Sequence, residues 1–315
     1  MRALVVSNML PDPAHPERGR FVRDQVAALR ALVGVEVELY EFAPGPPALA
    51  RAAAALRRRH RERFDVVHAH FGLTAWPAFA VPARVRALTL HGSDLRHPRT
   101  RLATAAALPF VDLLATASDA LVAELPTRRA RARAVALPCG VDLERFAPVA
   151  RAQARSRLGL ETERPFVLFP ADRARAEKRY DRALALARAA DVELRALGGV
   201  DPELVPLWVN AANAVLVTSE REGFGLAALE ALACDVPVLA TPVGAHPSML
   251  DGVEGTLCAP FELAAWQSAL ETHVRAADPR IEGRGRAERY STHAMAARVA
   301  GAWREALSRS AQDAG

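Results

Sequence analysis

Residues 214–244 read AVLVTSEREGFGLAALEALACDVPVLATPVG. A β-branched run, AVLVTS (214–219), gives way to a polar loop, EREGFG; an apolar helix then begins near Leu226, and a second run, VPVLAT (236–241), follows. Short apolar runs bounded by polar, Gly or Pro residues mark buried strands. Strand, helix and strand within about thirty residues make the crossover unit of a parallel sheet.

The same rhythm extends in both directions. Upstream, RALVVSN (2–8), VEVELYEF (35–42), DVVHAHF (65–71), VRALTLHG (85–92), LLATAS (113–118) and ARAVALP (132–138) read as strands, with helical patterns between most of them. The plainest helix is RFVRDQVAALRALV (20–33), in which Phe21, Val22, Val26, Leu29 and Val33 keep to one side. The alternation pauses over 139–165 and resumes with FVLFP (166–170), VELRAL (192–197), AVLVTS, VPVLAT and GTLCA (255–259). Such alternation specifies parallel sheets with helices on both faces. The expectation is an α/β protein of two tandem doubly wound, Rossmann-like domains, 1–150 and 151–315, with the last helix a candidate to pack back on the first domain. Ligands in such sheets sit beyond the carboxyl ends of the strands, so the loops that follow strands are the places to search.

Composition supports this frame. The chain has 315 residues, 51% of them hydrophobic and 24% charged, which suits a soluble protein with two cores. Cys139, Cys234 and Cys258 are odd in number and lack metal-ligand spacing, so ordinary reduced thiols are expected. MRALVVSNMLPDP at the start is too short an apolar run for a signal peptide or a membrane span, and a cytoplasmic protein is expected. A net charge of +5 points to anionic partners without choosing among them.

The chemistry concentrates in the opening stretch. Gly223 and Gly225 allow unusual backbone angles, leaving amide N–H groups at a helix N-terminus to face an anion. Glu222 lies in the loop, and Glu230, eight positions on, falls on the helix; helical side chains lean toward the N-terminus, so both carboxylates can face one pocket. A carboxylate beside an apolar stripe is costly unless strongly hydrogen-bonded, and a vicinal diol supplies two donors.

EGFGLAALEA followed by PVLATPVG resembles the Glu-x7-Glu signature of glycosyltransferase family 4, retaining sugar-nucleotide enzymes of the GT-B fold. HGSDL (91–95), LPCGVDLERFAP (137–148) and NAANAVLVTS (210–219) look like further segments of that family, and the resemblance runs to about residue 300. It implies an active site in the cleft between the two domains. It implies that Glu222 contacts the donor sugar and Glu230 the nucleotide ribose, with the amides around Gly223, Phe224, Gly225 and Leu226 binding donor sugar and diphosphate. The family's Arg and Lys, five positions apart, clamp the diphosphate; Arg173 and Lys178 have that spacing, and Arg175 is a rival for the arginine role. Asp172 and Arg179 stand where the family commonly has glycine. Gly19 and Arg20 fall at its loop over diphosphate and acceptor, Gly198 and Gly199 at its base-contacting loop, and His91 at its histidine against the donor sugar.

Lys178 is the only lysine among 41 basic Lys and Arg residues. A compact ammonium enters phosphate sites too tight for a guanidinium fork. His68 and His70 share a strand face, but without a third ligand they read as structural rather than metal-binding. RAAAALRRRHRERF (51–64) reads as a helix with a basic side, either a solvated face or a docking surface for an anionic membrane.

The function these readings lead to is retaining transfer of a sugar from a nucleotide-diphosphate sugar to an acceptor hydroxyl, in glycan or cell-wall biosynthesis. The donor is a co-substrate and no cofactor or metal is required; the acceptor is a glycan, a lipid-linked glycan or a small molecule, and no nucleic acid is expected. Peripheral contact with the inner face of the membrane goes with the basic helix. The alternatives are a sugar-nucleotide epimerase or phosphorylase of the same architecture, and a non-catalytic polyanion-binding protein. A dinucleotide oxidoreductase is disfavoured because VVSNMLPDP lacks the glycine fingerprint after the first strand.

Overall fold

The computed structural model describes residues 1–13, 15–59 and 63–312. All eleven expected strands form: β1 (Arg2–Ser7), β2 (Glu36–Glu41), β3 (Phe64–His70), β4 (Ala83–Leu90), β5 (Leu113–Thr116), β6 (Val135–Ala136), β7 (Phe166–Phe169), β8 (Glu193–Ala196), β9 (Ala214–Val217), β10 (Val238–Ala240) and β11 (Leu257–Cys258). They make two sheets, ordered β2-β1-β3-β4-β5-β6 and β11-β10-β9-β7-β8, and every pairing within them is parallel.

In the first unit the two-residue period of the strands splits the core cleanly. Leu4, Val6, Val67, Ala69, Leu88 and Leu90 point to one face, where Ala48, Ala52 and Leu56 of the helix Pro46–Arg57 cover them. Ala3, Val5, Val66, Val85, Ala87 and Leu113 point to the other. That face is covered by Val22, Val26 and Leu29 of the helix Arg20–Arg30 and by the C-terminal helix Thr292–Gln312, which buries Met295, Val299, Ala300 and Trp303 there. In the second unit, Val167, Phe169, Leu216 and Leu239 pack under Leu186 of the helix Tyr180–Ala189 and under Trp266 and Leu270 of the helix Leu263–Arg275. Phe166, Leu168, Val215 and Val238 are buried as well, and the helix Leu226–Ala233 lies against β9 and β10.

The chain divides ten residues before the cut at 150/151 read from the pause in the alternation, and the last helix joins the first domain. One compact unit comprises Met1–Gly140 together with Thr292–Gly315, the other Val141–Ser291. The residues just inside the second unit explain the division: Val141 and Ser291 form an isolated parallel bridge, and Val141 N donates to Tyr290 O at 2.9 Å. The second unit is thus inserted into the first with its two ends side by side.

Two helix readings need correction. The first helix stops at Arg30, and Val33 is 97% exposed beyond it. Gly34, at φ +74, turns the chain into β2. The basic helix ends at Arg57 rather than continuing to 64. Arg59 turns back to pair with Glu38 and to sit 5.6 Å from the Phe64 ring, and Phe64 already belongs to β3; 60–62 lie outside the described residues. Among the described residues no helix is long and apolar enough to cross a membrane, and all three cysteines are free thiols.

Candidate active site

Each sheet reverses its strand order once. In the second unit β7 has β8 on one side and β9 on the other; in the first unit β1 lies between β2 and β3. Loops leaving the carboxyl ends of two strands at such a point diverge and open a crevice for ligands. The loop after β7 carries Lys178 and the loop after β9 carries Glu222, so the two residues come from the two sides of the second unit's reversal.

They meet there. Lys178 Nζ donates to Glu222 Oε1 at 2.7 Å and to Oε2 at 2.8 Å, with both side chains largely buried (15% and 11% exposed). Ser219 Oγ donates to Glu222 Oε1 at 2.7 Å. Burial alone raises a carboxyl pKa, but the Lys178 charge and the bonds from Lys178 and Ser219 outweigh it and hold Glu222 below its ordinary range. Thr218 Oγ1 pins the lysine loop by donating to Lys178 O and Arg179 O at 3.1 and 2.9 Å.

The glycine loop is braced from behind. Gly225, at φ +114, caps the helix Leu226–Ala233, and a Cβ on it would lie 2.3 Å from His246 Nε2. Gly244, at φ +60, leaves no room for a Cβ against Phe224 O at 2.7 Å, and Ala245 N donates to that same oxygen at 2.8 Å. His246 is fully buried and its Nδ1 donates to Thr241 O at 2.8 Å, leaving Nε2 unpartnered among the described residues. Phe224 is buried against Tyr290, ring centroids 5.8 Å apart. Residues 222–225 are therefore held by the strand-end segment 241–246, with the first-turn amides at Leu226 and beyond left without helical partners. Glu230 sits half-buried on a helix whose other inward residues are Ala228, Leu229, Ala231, Leu232 and Ala233.

The basic residues around Lys178 divide into engaged and unengaged. Arg175 donates to Glu177 Oε1 through Nε and Nη2, at 2.9 and 2.7 Å. Arg173 is exposed and has no hydrogen bond or ion pair among the described residues. Arg179 adopts the left-handed conformation (φ 55°, ψ 55°) at the start of the helix Tyr180–Ala189, tied to Asp181 and Glu220. The family's glycine is thus replaced by an arginine whose side chain compensates the backbone. Gly198 packs against Asp172, whose Cα would be 3.1 Å from any Cβ, and Gly199 has φ +75. The loops after β7 and β8 touch at that glycine.

In the first unit, Gly19 (φ +71) begins the helix Arg20–Arg30 under Met9 O, which a Cβ would approach to 2.4 Å. Arg20 faces Asp24 at 3.4 Å. The next residue, Phe21, reaches the end of the sheet: its ring lies 4.9 Å from His91 and 6.5 Å from His70. His91 follows β4, with its amide donating to Asp94 Oδ2 at 2.7 Å. Its ring nitrogen Nε2 is 3.0 Å from His70 Nδ1. His68 is fully buried, bonded to Thr89 Oγ1 at 2.7 Å and accepting from Trp303 Nε1 at 3.1 Å. Burial pushes all three imidazoles down, His70 to about 3, so they are neutral rings at physiological pH.

Of the residues singled out in the sequence, the structure brings Lys178 and Glu222 into contact, next to the glycine loop. Sequence reasoning missed Ser219, His246 and the pairing of His70 with His91. Ser219 closes the quoted run AVLVTS and His246 lies two residues beyond TPVG, and neither carries a pattern of its own; the HAH spacing was visible, but its partner lies on another strand.

Comparison with known proteins bears on the family and the fold. Residues 4–145 match the family model described as Glycosyltransferase Family 4, and residues 170–275 match Glycosyl transferases group 1. A D-inositol 3-phosphate glycosyltransferase of Actinosynnema mirum is 33% identical over 324 residues, covering 84% of this chain and 76% of that one. A namesake from Xylanimonas cellulosilytica is 30% identical, covering 72% and 68%. Among solved structures, sucrose-phosphate synthase of Thermosynechococcus elongatus superposes with a TM-score of 0.75 at 20% identity, over 98% of this chain and 100% of that one. HepE of Anabaena with UDP-glucose gives 0.68 at 19%, over 96% and 98%. Those structures share the two-domain GT-B fold, and the sequence matches settle the family: this chain belongs to glycosyltransferase family 4 and is a sugar-transferring enzyme.

Proposed function

We propose that the enzyme is a retaining glycosyltransferase that takes a nucleotide-diphosphate sugar as donor, needs no metal, and passes the sugar to an acceptor hydroxyl. The observation that carries this reading is the Lys178–Glu222 pair at the strand-order reversal, beside a helix N-terminus. An ammonium has three N–H donors; two point at Glu222, and one more direction serves a phosphate oxygen. Arg173 supplies the second cation, since Arg175 is committed to Glu177. Together with the amides around Gly225 they offset charge building on the departing diphosphate. Glu222 accepts from sugar hydroxyls and Glu230 from the ribose diol; His91 is a further contact of the sugar, and Gly198 and Gly199 border the base. Supporting the donor class, HepE of Anabaena is described with UDP and with UDP-glucose.

For the acceptor, the name shared by the curated relatives makes a phosphorylated polyol the first candidate to try, ahead of a glycan. A place in glycan or cell-wall biosynthesis, in the cytoplasm and peripheral to its membrane, belongs to the same proposal; exposed Arg57 and Arg58 are what support membrane contact. Thermal shift against UDP-, GDP-, ADP- and TDP-glucose tests the donor class, because a ligand at a hundred times its Kd stabilises by about 2.7 kcal/mol. NMR of the product formed with inositol 3-phosphate then reads the anomeric configuration. No shift with any of the four sugar nucleotides would count against the donor reading, and an inverted product against retention.

A further inference from the structure

His70 ends β3 and pairs in register with Thr89 of β4, so the side chains of His68, His70, Thr89 and His91 rise from one face of the sheet. The rings of His70 and His91 are inclined by only 18° with centroids 5.2 Å apart and nitrogens at 3.0 Å. That combination places the rings edge to edge, as an N–H···N bond requires. One proton occupies the bond, and its owner decides what His91 can do.

Two neutral arrangements exist. If His91 donates from Nε2, then His70 accepts at Nδ1 and carries its proton on Nε2. That atom is fully buried without a partner among the described residues, so an N–H donor would be stranded. If His70 donates from Nδ1, the buried Nε2 is only a lone pair. Stranded buried N–H groups are the rarer and costlier defect. A doubly protonated His70 is ruled out by the same burial, which holds it neutral.

The surroundings lock the pair. Trp303 Nε1 donates to His68 Nδ1, so neutral His68 bonds Thr89 through Nε2–H, and its ring lies 4.8 Å from that of His70 at 22°. The amide of His91 is fixed on Asp94, and Phe21 and Phe71 flank its ring at 4.9 and 4.6 Å.

We propose that His70 is a positioning residue that donates Nδ1–H to His91 Nε2, holding His91 as the Nδ1–H tautomer so that it presents a fixed N–H donor to an oxygen of the sugar. In this arrangement His91 has no free lone pair and does not act as a base. The role in sugar contact rests on the reading of His91 given above; the tautomer does not.

Histidine ring nitrogens of the full chain, followed by long-range proton–nitrogen NMR, test the two parts separately. In the parent, His91 should show a protonated Nδ1 and an unprotonated Nε2. In His70→Leu, which removes the donor, His91 should revert toward Nε2–H. In His70→Asn, whose side-chain amide stands near the place of Nδ1, the parental tautomer should persist. A parent with Nε2–H on His91, or a His70→Leu variant that keeps the parental tautomer, would overturn the proposal; because the parent spectrum decides by itself, a poorly folding variant does not obstruct the test. For the sugar contact, the His91 Nδ1 signal should move with one of UDP-, GDP-, ADP- or TDP-glucose and not with the matching nucleoside diphosphate. A signal indifferent to all four overturns His91 as the sugar contact and leaves the tautomer result standing on its own.

Discussion

The two sites at the strand-order reversals are built on opposite electrostatic plans. In the second unit a charge is kept: Glu222 is ionised because Lys178 and Ser219 answer it directly. In the first unit charge is excluded: three histidines stand in a row, all driven neutral by burial. A paired charge can exchange partners with an arriving anion, whereas a buried neutral ring offers a hydrogen bond of fixed direction and little else. The division would suit the transfer proposed above, with a polyanion leaving and an uncharged sugar moving.

The largest effect expected is at Lys178. Lys178→Ala should lower turnover by roughly 10²–10³, on the scale of removing one preorganised donor from a developing anion. Lys178→Arg should fall in the same range, since a planar fork does not reproduce a point donor between two carboxylate oxygens. Rates at saturating donor, with melting curves as the folding check, decide this. A Lys178→Arg enzyme as fast as the parent would erase the contrast between the sites.

Gly225→Ala comes next. The methyl would need φ +114 and would meet His246 Nε2 at 2.3 Å, so about 1–3 kcal/mol is expected from the backbone alone. His246→Ala carries a cost of its own, since His246 is buried and bonded to Thr241 O, but adding it should relieve the steric part, so the double variant should lose less than the sum of the two single losses. Losses that simply add would show that the methyl and His246 do not meet. Glu230→Gln should weaken donor binding by about 1.5–3 kcal/mol through lost charge-assisted bonds while the fold stays intact. Calorimetry with the sugar nucleotide found by thermal shift measures it.

Acid should separate the units. A histidine whose folded pKa is depressed contributes stability that is present above its ordinary value of 6.5 and is lost as pH falls, for His70 down to about 3. Glu222, also depressed, contributes above its ordinary 4.5 and begins to lose it only below that. Asp94 opposes the trend, because burial raises its carboxyl and acid favours its folded form. Burial lowers His246 and His273 of the second unit as well, but not as far as the three histidines of the first; hydrogen exchange, corrected for intrinsic rates, should therefore loosen β1, β3 and β4 more than β7 and β9 as pH drops from 7 toward 5. Loss in the reverse order would contradict the two-plan account. The smallest effect is at Arg57→Gln with Arg58→Gln: both side chains are exposed, and stability should stay within about 0.5 kcal/mol. Sedimentation with anionic vesicles shows whether they matter to anything else.

How much of this was legible follows from where the information resides. The inner strands could be read because runs such as AVLVTS and RALVVSN are buried on both faces and carry their own boundaries; the edge strands, only partly buried, could be read because they keep the strand–helix rhythm. Glu222, Lys178 and the glycines were legible because strand-end loops carry ligand chemistry. Val33 was misassigned since the apolar periodicity continues past a helix that ends at Arg30, and the basic helix was drawn too long because Phe64 belongs to a strand that needs β1 and β4 to exist. His246 and His70 act through contacts across the fold, which local patterns do not encode.

The C-terminal helix has a consequence for the making of the protein. Trp303 and its neighbours complete one face of the first sheet and hold His68. During synthesis they leave the ribosome only after the whole inserted unit has been made, roughly 8–30 s after Gly140 at 5–20 residues per second. Until then Val5, Val66 and Val85 lack their full cover. The second unit, translated later, is the one able to finish first, and the nascent first unit must wait with an open apolar face that a chaperone could shield.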